Sequence, residues 1–364
     1  MQNLQLPSAL PDSGDLLVLG LMSGTSLDGL DIVLVRFEWN KKMEFEVQSA
    51  KTFEYSQEWK ERLGASMTLS GLELQQLDVD LARWMSSRVI EFLEKGSKIK
   101  VEFLASHGHT IFHQPESGFT SQIGSGAILS ILTGIPVVCD FRSQDVALGG
   151  QGAPLVPKGD QDLFGDFAAC VNLGGFANIS SVRGNERVAW DICPVNVVLN
   201  SLAKKEGLDF DKDGKLASKG SLIQPLFDEL ESLEYYQLHA PKSLGMEWVK
   251  VHVRPLMEKF KKSPTKDILR TYCEHVASQI SKSLENVEGD VLFTGGGVWN
   301  AFLMKRISDL SSCKVKIPKR QIVDFKEAII FAYLGLLRWY GLENVKSSVT
   351  GSKSDHSAGA IYLA

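Results

Sequence analysis

The alternation of apolar and polar positions near the start of the chain predicts a β-hairpin. Apolar runs at Asp15–Leu21 and Ile32–Phe37 have the length and composition of buried strands. Between them, Met22–Asp31 is too short and too rich in glycine for a helix, and it carries three hydroxyls and two carboxylates. We therefore expect this stretch to form the tip of the hairpin.

The second half of the chain repeats this layout. Phe167–Leu173 is an apolar run, Gly174–Asn178 is a glycine-containing turn, and Ile179–Val182 is a second short apolar run. No residue-level repeat accompanies the similarity. Two such units in one chain indicate an internal structural duplication, and we expect the two halves to face each other.

The remaining pattern predicts alternating helices and strands. Helical periodicity covers Gln57–Gly96 and Ile268–Val287, and a short apolar run at Val291–Thr294 follows the second of these. Strands that alternate with helices are typical of an α/β protein. Further strands are expected at Phe103–Ser106, Ile135–Cys139 and Ala360–Leu363, and further helices after Pro194 and from Glu327.

The length of the chain predicts two domains. A single hydrophobic core stops growing at roughly 250–300 residues, and this chain has 364. We place the boundary near Pro136 and expect the last strand to return to the first domain. The predicted domains are therefore residues 1–136 with 344–364, and residues 137–343. A cleft between domains is a common position for small-ligand sites.

Composition and charge exclude several classes of protein. With 44% hydrophobic and 23% charged residues, the chain is an ordinary globular sequence, and its net charge of −5 argues against a nucleic-acid binder. No segment approaches the roughly 20 apolar residues of a membrane span. The five cysteines are scattered and form no CxxC pair, which favours a reducing cytoplasm over a disulfide framework.

The first hairpin tip has the composition of a phosphate site. In Ser23–Gly29, glycines allow close approach of the backbone, hydroxyls add donors, and Asp28 could hold a cation or its water shell. The stretch lacks the lysine and the spacing of a Walker A loop. An ordinary hairpin turn remains the alternative reading.

Two further glycine turns could contact the same nucleotide. Gly174 and Gly175, with Asn178, could form a second phosphate clamp, and Gly295–Gly297 lies at a strand end with room for a base or ribose. Each turn alone is more often structural. The dinucleotide fingerprint is poorly met, because Gly124–Leu129 lacks the third glycine.

Candidate groups for the chemistry lie elsewhere. Asp191 stands at the end of an apolar stretch and could act as a general base, although an Asp before Pro194 could equally be solvated or cap a helix. Arg142, Asp145 and Gln151 supply hydrogen-bonding groups of the kind that surround a sugar. The histidines lack a convincing fourth ligand for a metal site: His107, His109 and His113.

Taken in order, these motifs resemble the 1,6-anhydro-N-acetylmuramic acid kinases, over nearly the whole chain. The first and fourth of the matching motifs are the most specific. The motifs are Gly20–Asp31, Ser106–Thr110 with His113 and Pro115, Asp140–Arg142, Gly149–Leu155, Asn172–Ile179, Asp211–Gly214, Lys242–Gly245, Gly295–Gly297 and Glu327–Ala328.

The resemblance implies an α/β fold of two duplicated actin-like (ribonuclease H-like) domains that flank a nucleotide cleft. It implies a homodimer that uses ATP and Mg²⁺, with Asp28 at the metal. It implies sugar contacts from His109, Arg142, Gln151 and Asn196. The implied nucleotide contacts are Ser23, Gly24, Thr25, Ser26, Leu27, Asp28, Gly29, Leu30, Asp31, Gly174, Gly175, Asn178, Gly295, Gly296 and Gly297.

The resemblance also implies a reaction. Water adds to the anomeric carbon, the 1,6-anhydro bridge opens, and the freed O6 takes the γ-phosphoryl group of ATP, with Asp191 activating the water. Glu327 would orient the sugar or the water, or else complement a helix dipole. The chain departs from the family pattern at Cys193 and Val195, and it has His109 where the family often has glutamine.

Two alternatives remain at this point. A kinase of the same fold could act on another sugar or a small acid, which the phosphate motifs alone do not exclude. A nucleotide-dependent sensor that has lost turnover would fit the altered motif around Asp191, although the retained carboxylate speaks against it.

Overall fold

The computed structural model describes residues 10–40, 42–94, 100–184, 186–240 and 242–364, and the side chain of residue 186 is not described. The chain divides into two compact units. Unit 1 comprises Met1–Phe164 and Phe325–Ala364, and unit 2 comprises Gly165–Asp324. Each unit contains one β-sheet with its own buried core.

The strands, in chain order, are β1 (Gly14–Ser23), β2 (Gly29–Trp39), β3 (Met43–Glu54), β4 (Phe103–Gln114), β5 (Phe119–Ile123), β6 (Val137–Cys139), β7 (Ala169–Leu173), β8 (Phe176–Arg183), β9 (Glu186–Pro194), β10 (Asp290–Thr294), β11 (Lys314–Lys316) and β12 (Ala360–Tyr362).

The α-helices are α1 (Gln57–Gly64), α2 (Gly71–Glu94), α3 (Gly126–Thr133), α4 (Ser143–Ala147), α5 (Val156–Leu163), α6 (Asn196–Ala203), α7 (Gln224–Glu231), α8 (Met246–Trp248), α9 (Arg254–Lys259), α10 (Thr265–Ser283), α11 (Ala301–Leu310), α12 (Arg320–Trp339) and α13 (Ser347–Thr350). A π-helical turn, Val249–Val253, joins α8 to α9. Short 3₁₀ turns lie at Ser66–Thr68, Pro115–Ser117, Lys204–Glu206, Lys212–Gly214, Ala217–Lys219, Glu234–Gln237 and Gly296–Trp299.

The sheet of unit 1 combines an antiparallel hairpin meander with parallel strands. Its order is β12-β6-β4-β1-β2-β3, with β5 paired to β4. Strands β1, β2 and β3 are antiparallel neighbours, β1, β4 and β6 are parallel, and β12 returns antiparallel to β6. The first predicted hairpin and the return of the last strand are therefore confirmed.

The five-stranded sheet of unit 2 repeats the central part of this arrangement. Its order is β11-β10-β7-β8-β9, with β7, β8 and β9 antiparallel and β7, β10 and β11 parallel. A meander of three strands followed by parallel strands on the side of the first is thus present twice. This repetition confirms the predicted duplication and the α/β class, and the order is that of the ribonuclease H-like, actin-like domains that the resemblance implied.

The compact units differ from the predicted domains. They divide after Phe164 and before Phe325, rather than after residue 136 and before residue 344. Strand β6 pairs with β4, and β12 pairs with β6, so the segment after Pro136 belongs to the first sheet. Ladder hydrogen bonds, which sequence patterns do not reveal, determine this membership.

The predicted helix at Gln57–Gly96 is two helices, α1 and α2. A second start signal lies at Ser70, whose hydroxyl accepts from the amide of Glu73, while the Glu73 carboxylate accepts from the Ser70 amide at 2.8 Å. This reciprocal capping box begins α2. The predicted end of the helix falls among residues 95–99, which lie outside the described residues.

Other predicted elements are present with altered ends. The strand predicted at Phe103–Ser106 continues to Gln114, because its second half pairs with β5. No helix in the described part of the chain combines the length and the apolar character that a bilayer span requires.

Candidate functional site

The β1–β2 loop of unit 1 presents polar groups to solvent. Thr25, Ser26 and Asp28 are exposed, and a bond from the Leu27 amide to the Gly24 carbonyl, 3.3 Å long, closes the loop. The side-chain face of Gly24 is open, since the nearest atom to an added Cβ is Ser26 Oγ at 3.5 Å. Such a loop can receive an anion through hydroxyls and backbone amides.

The residues that follow this loop make contacts within the β-sheet and its core. A Cβ on Gly29 would lie 2.4 Å from the carbonyl oxygen of Phe53, so glycine is required for the approach of β3. Leu30 is fully buried in the core, and Asp31 accepts a hydrogen bond from Thr52. Of the residues predicted to contact nucleotide, Leu30 therefore has its side chain in the core, and Gly29 has a packing role.

Ser23 joins the loop to a buried hydrogen-bond chain. Its hydroxyl lies 2.8 Å from Tyr55 Oη and 2.8 Å from His109 Nδ1. Burial raises the pKa of Tyr55 to about 12 and lowers the pKa of His109 to about 4, so both rings are neutral near pH 7. The parallel β1–β4 register brings Ser23 and His109 together, although they are 86 residues apart.

Arg142 follows β6 and is clamped by a neutral histidine. Arg142 Nε and Nη2 lie 3.0 and 2.8 Å from His107 Nε2, while His107 Nδ1 lies 2.9 Å from the carbonyl of Gly108. Burial places the pKa of His107 well below its usual value. Nδ1 therefore carries the proton and Nε2 accepts from the guanidinium.

The loop that carries Gln151 depends on the same arginine and on a buried carboxylate. Arg142 Nη1 donates to the carbonyl of Gly152 at 2.6 Å. Asp145, fully buried, accepts from the Gly152 amide at 2.7 Å and from Thr350 Oγ1 at 2.7 Å. Gln151 itself is exposed, with its amide bonded to the Thr350 carbonyl. Asp145 was predicted to be among the groups that surround the sugar. It is instead buried and supports the loop through its two hydrogen bonds.

Helix α12 positions Glu327 by direct contact with β1. A Cβ on Gly20 would lie only 2.1 Å from the carbonyl oxygen of Ala328, so the helix backbone rests on the strand at this glycine. The adjacent residue, Lys326, forms a buried 2.7 Å ion pair with Asp160. The packing and the ion pair together fix the turn of α12 that carries Glu327.

The electrostatics around Glu327 and Arg142 are coupled. Desolvation raises the pKa of Glu327, and the charges of Arg142 and Lys326 oppose that rise. The Glu327 side chain is exposed to solvent. Burial lowers the pKa of Arg142 to about 10, with Glu327 and Asp145 acting in the other direction. Arg142 therefore stays cationic.

Asp191 lies near the end of β9 in unit 2 and is held on both backbone and side chain. The amide of Leu244 donates to Asp191 Oδ2 at 2.9 Å, Tyr235 Oη donates to the Asp191 carbonyl at 2.6 Å, and the Asp191 amide donates to the Lys242 carbonyl at 3.1 Å. Burial raises the pKa of Asp191, which the Leu244 amide partly offsets. A raised pKa suits a general base.

A β-bulge sets the neighbours of Asp191. Ala177 pairs with Cys193 and Asn178 pairs with Asp191, so Ile192 is an extra residue in β9. Directly paired residues point to the same face of an antiparallel ladder. The bulge therefore places Asn178, predicted to contact phosphate, beside the candidate base.

The glycine turns of unit 2 converge on the start of α6. Asn196 Nδ2 donates to the Leu173 carbonyl at 3.3 Å, and the Asn196 amide donates to the Gly174 carbonyl at 3.3 Å. Gly295 has φ +82°, and a Cβ there would lie 2.8 Å from the carbonyl carbon and oxygen of Leu173. The ends of β7 and β10 thus approach each other backbone to backbone. The predicted residues brought together here are Gly174, Gly175, Asn196, Gly295 and Gly297.

Sequence reasoning missed three contributors. His107 orients Arg142, the Leu244 amide binds the Asp191 carboxylate, and Tyr235 binds the Asp191 backbone. The motifs Ser106–Thr110 and Lys242–Gly245 contain the first two, but they gave no indication of a partner. Across the described ranges, no group of three or more His, Cys, Asp or Glu side chains is placed to hold a metal ion.

Comparison with known proteins gives one family over almost the entire chain. The family model described as "Anhydro-N-acetylmuramic acid kinase" matches residues 16–364. A protein of that name from Haemophilus influenzae is 35% identical over 374 aligned positions, covering 94% of this chain and 97% of the relative. A second, from Vibrio cholerae, is 36% identical, covering 95% and 98%.

Solved structures are matched at much lower identity. The activator of the 2-hydroxyisocaproyl-CoA dehydratase from Clostridium difficile, with bound ADPNP, is 12% identical with a TM-score of 0.42, and the match covers 86% of this chain and 96% of that chain. The family assignment therefore rests on the sequence matches.

Proposed function

The chain belongs to the anhydro-N-acetylmuramic acid kinase family, and from this premise we propose that it is a phosphotransferase that uses ATP to convert 1,6-anhydro-N-acetylmuramic acid into N-acetylmuramic acid 6-phosphate. Such a reaction recycles an amino sugar of peptidoglycan. The observation that carries the proposal is the carboxylate of Asp191, held by the Leu244 amide near the end of β9 with its pKa raised.

Asp191 is the general base of the proposed reaction. It takes a proton from water as the water oxygen bonds to C1 of the sugar, and the C1–O6 bond breaks. O6 then bonds to the γ-phosphorus of ATP, ADP leaves, and the proton is released to solvent. Because Leu244 donates to Oδ2, we assign proton transfer to Oδ1.

The exposed loop residues of unit 1 and the converged turns of unit 2 are the proposed nucleotide contacts. Phosphoryl transfer depends on positioning and on charge stabilisation of the phosphates. Asp28 is an exposed carboxylate on an open loop, which suits a hard cation that keeps water ligands and takes others from the phosphates. When bound with ATP, Mg²⁺ would offset phosphate charge, and Asp28 would hold it.

The proposed sugar contacts have distinct supports. Arg142 is cationic and held by His107, so it can face an anionic or hydroxyl-rich sugar without changing protonation. Gln151 is exposed on a loop that Asp145 secures. Glu327, exposed on α12, would accept hydrogen bonds from the sugar or the attacking water. His109 and Asn196 complete the proposed set.

A coupled ADP-release assay tests this function. The purified protein, with ATP and magnesium, is given the anhydro sugar, N-acetylglucosamine, glucose or acetate in parallel. We expect ADP release with the anhydro sugar alone, and mass spectrometry should detect a product heavier by one water and one phosphoryl group. Release with glucose or acetate but not with the anhydro sugar would favour the alternative kinase of the same fold.

The pH dependence of kcat should report the buried base. Asp191 must be unprotonated to accept a proton, and burial raises its pKa, so the rate should fall on acidification at a pH above the ordinary aspartate value of about 3.9. Steady-state rates measured from about pH 4 to 8 would locate this limb. A rate that stays constant down to about pH 4 would contradict the assignment.

Replacing Asp28 by alanine should weaken ATP binding and raise the magnesium concentration that activity requires. Loss of one charged ligand group at an exposed site corresponds to about 1.4 kcal/mol, or roughly a tenfold rise in the KM for ATP. Magnesium titrations at several ATP concentrations would measure the change. Asp28→Asn should be intermediate, and Glu44→Ala, at an exposed position of β3, is the matched control. Identical titrations for all variants would return the loop to a structural role.

We also propose a homodimer in the cytoplasm. The family resemblance supports the dimer, and use of ATP together with five free cysteines supports a reducing compartment. Light scattering coupled to size exclusion would give the molar mass, and a single-chain mass at micromolar concentration would contradict the dimer.

A further inference from the structure

Asp191 is held at three points by one segment of unit 2, of which residues 235–240 and 242–244 are described. Tyr235, at one end of the segment, donates its hydroxyl to the Asp191 carbonyl, and Lys242 accepts from the Asp191 amide. Leu244, at the other end, donates its amide to the Asp191 carboxylate at 2.9 Å. The contacts involve residues 44 to 53 positions away in the chain, so β9 and this segment fix each other through tertiary contacts.

We propose that Tyr235 is a positioning residue for Asp191, and that a buried chain of Tyr236, His275 and Glu231 holds Tyr235 in place. The role rests on the proposed function of Asp191 as a general base. It adds to that function a group that acts through the Asp191 backbone and touches neither the sugar nor the phosphates.

Lys242 also contacts Tyr235 directly. Its Nζ donates to the carbonyl of Tyr235 at 3.0 Å and lies 4.5 Å from the centroid of the Tyr235 ring. A cation over an aromatic face and a hydrogen bond to the same residue restrict both the backbone and the ring. The Tyr235 hydroxyl and the Lys242 carbonyl both bond to the Asp191 backbone, and the two residues also bond to each other.

The Tyr235 ring also packs against two further aromatic rings. Its centroid lies 5.7 Å from that of Tyr236 and 5.4 Å from that of Trp248. The Tyr236 hydroxyl lies 3.1 Å from Nε2 of the fully buried His275, and His275 Nδ1 lies 2.5 Å from Glu231 Oε1. Tyr236 is therefore fixed at its hydroxyl as well as by ring packing.

The protonation states determine which group donates and which accepts in each hydrogen bond among Tyr236, His275 and Glu231. Burial acts to raise the pKa of Glu231, but hydrogen bonds from His275 and Lys282 outweigh it and lower the pKa to about 2. Glu231 is therefore ionised and accepts from His275 Nδ1–H. Burial lowers the pKa of His275, so the ring is neutral, and its Nε2 accepts from the Tyr236 hydroxyl. Each member has one stable role near neutral pH.

The consequence concerns the Leu244 bond to the base. This amide hydrogen bond stabilises the charged carboxylate of Asp191 and lowers its pKa against the effect of burial. If Tyr235 no longer holds the Asp191 carbonyl, the carboxylate moves relative to the Leu244 amide and the bond weakens. The pKa of Asp191 then rises, and proton transfer from water becomes less well aligned.

The test is Tyr235→Phe, which removes the hydroxyl and keeps the ring. We expect kcat to fall about tenfold, as for one lost hydrogen bond, with KM for ATP and for the sugar within about twofold. The acid limb of the kcat profile should move to higher pH. Tyr333→Phe, which removes a 2.7 Å bond to Asp162 in unit 1, is the matched control and should leave kcat and the limb unchanged.

A second readout is independent of turnover. Carbon-13 carboxyl resonances of aspartate-labelled protein, with Asp191 assigned through Asp191→Asn, give the titration midpoint directly. The midpoint should be higher in Tyr235→Phe than in the wild type. If the wild type releases no ADP with the anhydro sugar, the proposed function fails, while this titration still decides the positioning role.

Lys242→Met supplies a variant that retains the methylene stem over the ring. It should shift the Asp191 midpoint in the same direction, and the double variant should change kcat by less than the product of the single changes, because both act through one group. If Tyr235→Phe does not fold, the Lys242→Met titration takes its place. An unchanged midpoint in the folded variant, or multiplicative effects on kcat, would overturn the inference.

Discussion

Asp191→Asn is expected to lower kcat by a factor on the order of 10² to 10⁴, the usual cost of losing a general base. Asparagine retains the side-chain shape and an oxygen that can accept from the Leu244 amide, so the local structure should persist. ATP affinity, measured by calorimetry, should stay within about threefold because the base acts on water rather than on the nucleotide.

The control for this variant is Asp309→Asn, at an exposed carboxylate of α11 paired with Lys305 and Arg306. It should retain wild-type kcat, since exposed ion pairs contribute little. Near-normal turnover in Asp191→Asn would remove Asp191 from the mechanism and would leave the alternatives of another base or another reaction.

Asp145→Ala is expected to have the largest effect on stability, about 3–5 kcal/mol. Removal of this fully buried carboxylate takes away the acceptor of the Gly152 amide and the shortest hydrogen bond of the Thr350 hydroxyl. It also leaves the partly buried cation Arg142 with one fewer opposing charge. The unfolding midpoint should fall by on the order of 10 °C, and KM for the sugar should rise because the Gln151 loop loses its support.

Asp145→Asn provides the comparison. It keeps one acceptor oxygen but replaces the other by a donor, so one of the two bonds should survive and the loss should be about half as large. Differential scanning calorimetry would measure both variants. A midpoint within about 2 °C of the wild type for Asp145→Ala, equivalent to less than roughly 1 kcal/mol, would mean that the loop is held by other contacts.

The prediction of the candidate site from sequence succeeded where the information was local. The β1–β2 loop and the β7–β8 turn are short glycine-rich connectors between apolar runs, and the structure has hairpins at both. Asp191 was predicted at the end of an apolar stretch and lies near the end of β9. The roles of these residues in binding and catalysis stay predictions until the variants are measured.

Prediction of the support around the site failed because its partners are distant in sequence. Arg142 and His107 are 35 residues apart, Asp191 and Leu244 are 53 apart, and Asp145 and Thr350 are 205 apart. The same limit explains Asp145 itself, whose hydrogen-bonding side chain looks like a sugar ligand until its complete burial is known.

The sequence by itself determined the strand–turn–strand units, the α/β alternation and the duplication, because hydrophobic period and turn chemistry act over a few residues. Only the tertiary structure decided which sheet each strand joins. The segment containing β6, and helix α12 from Phe325 onward, therefore belong to unit 1 rather than to the second predicted domain. Only the tertiary structure showed that Leu30 lies in the core and that the Leu244 amide binds the Asp191 carboxylate. Ladder pairing and burial depend on contacts between segments far apart in the chain, and a one-dimensional pattern carries no record of them.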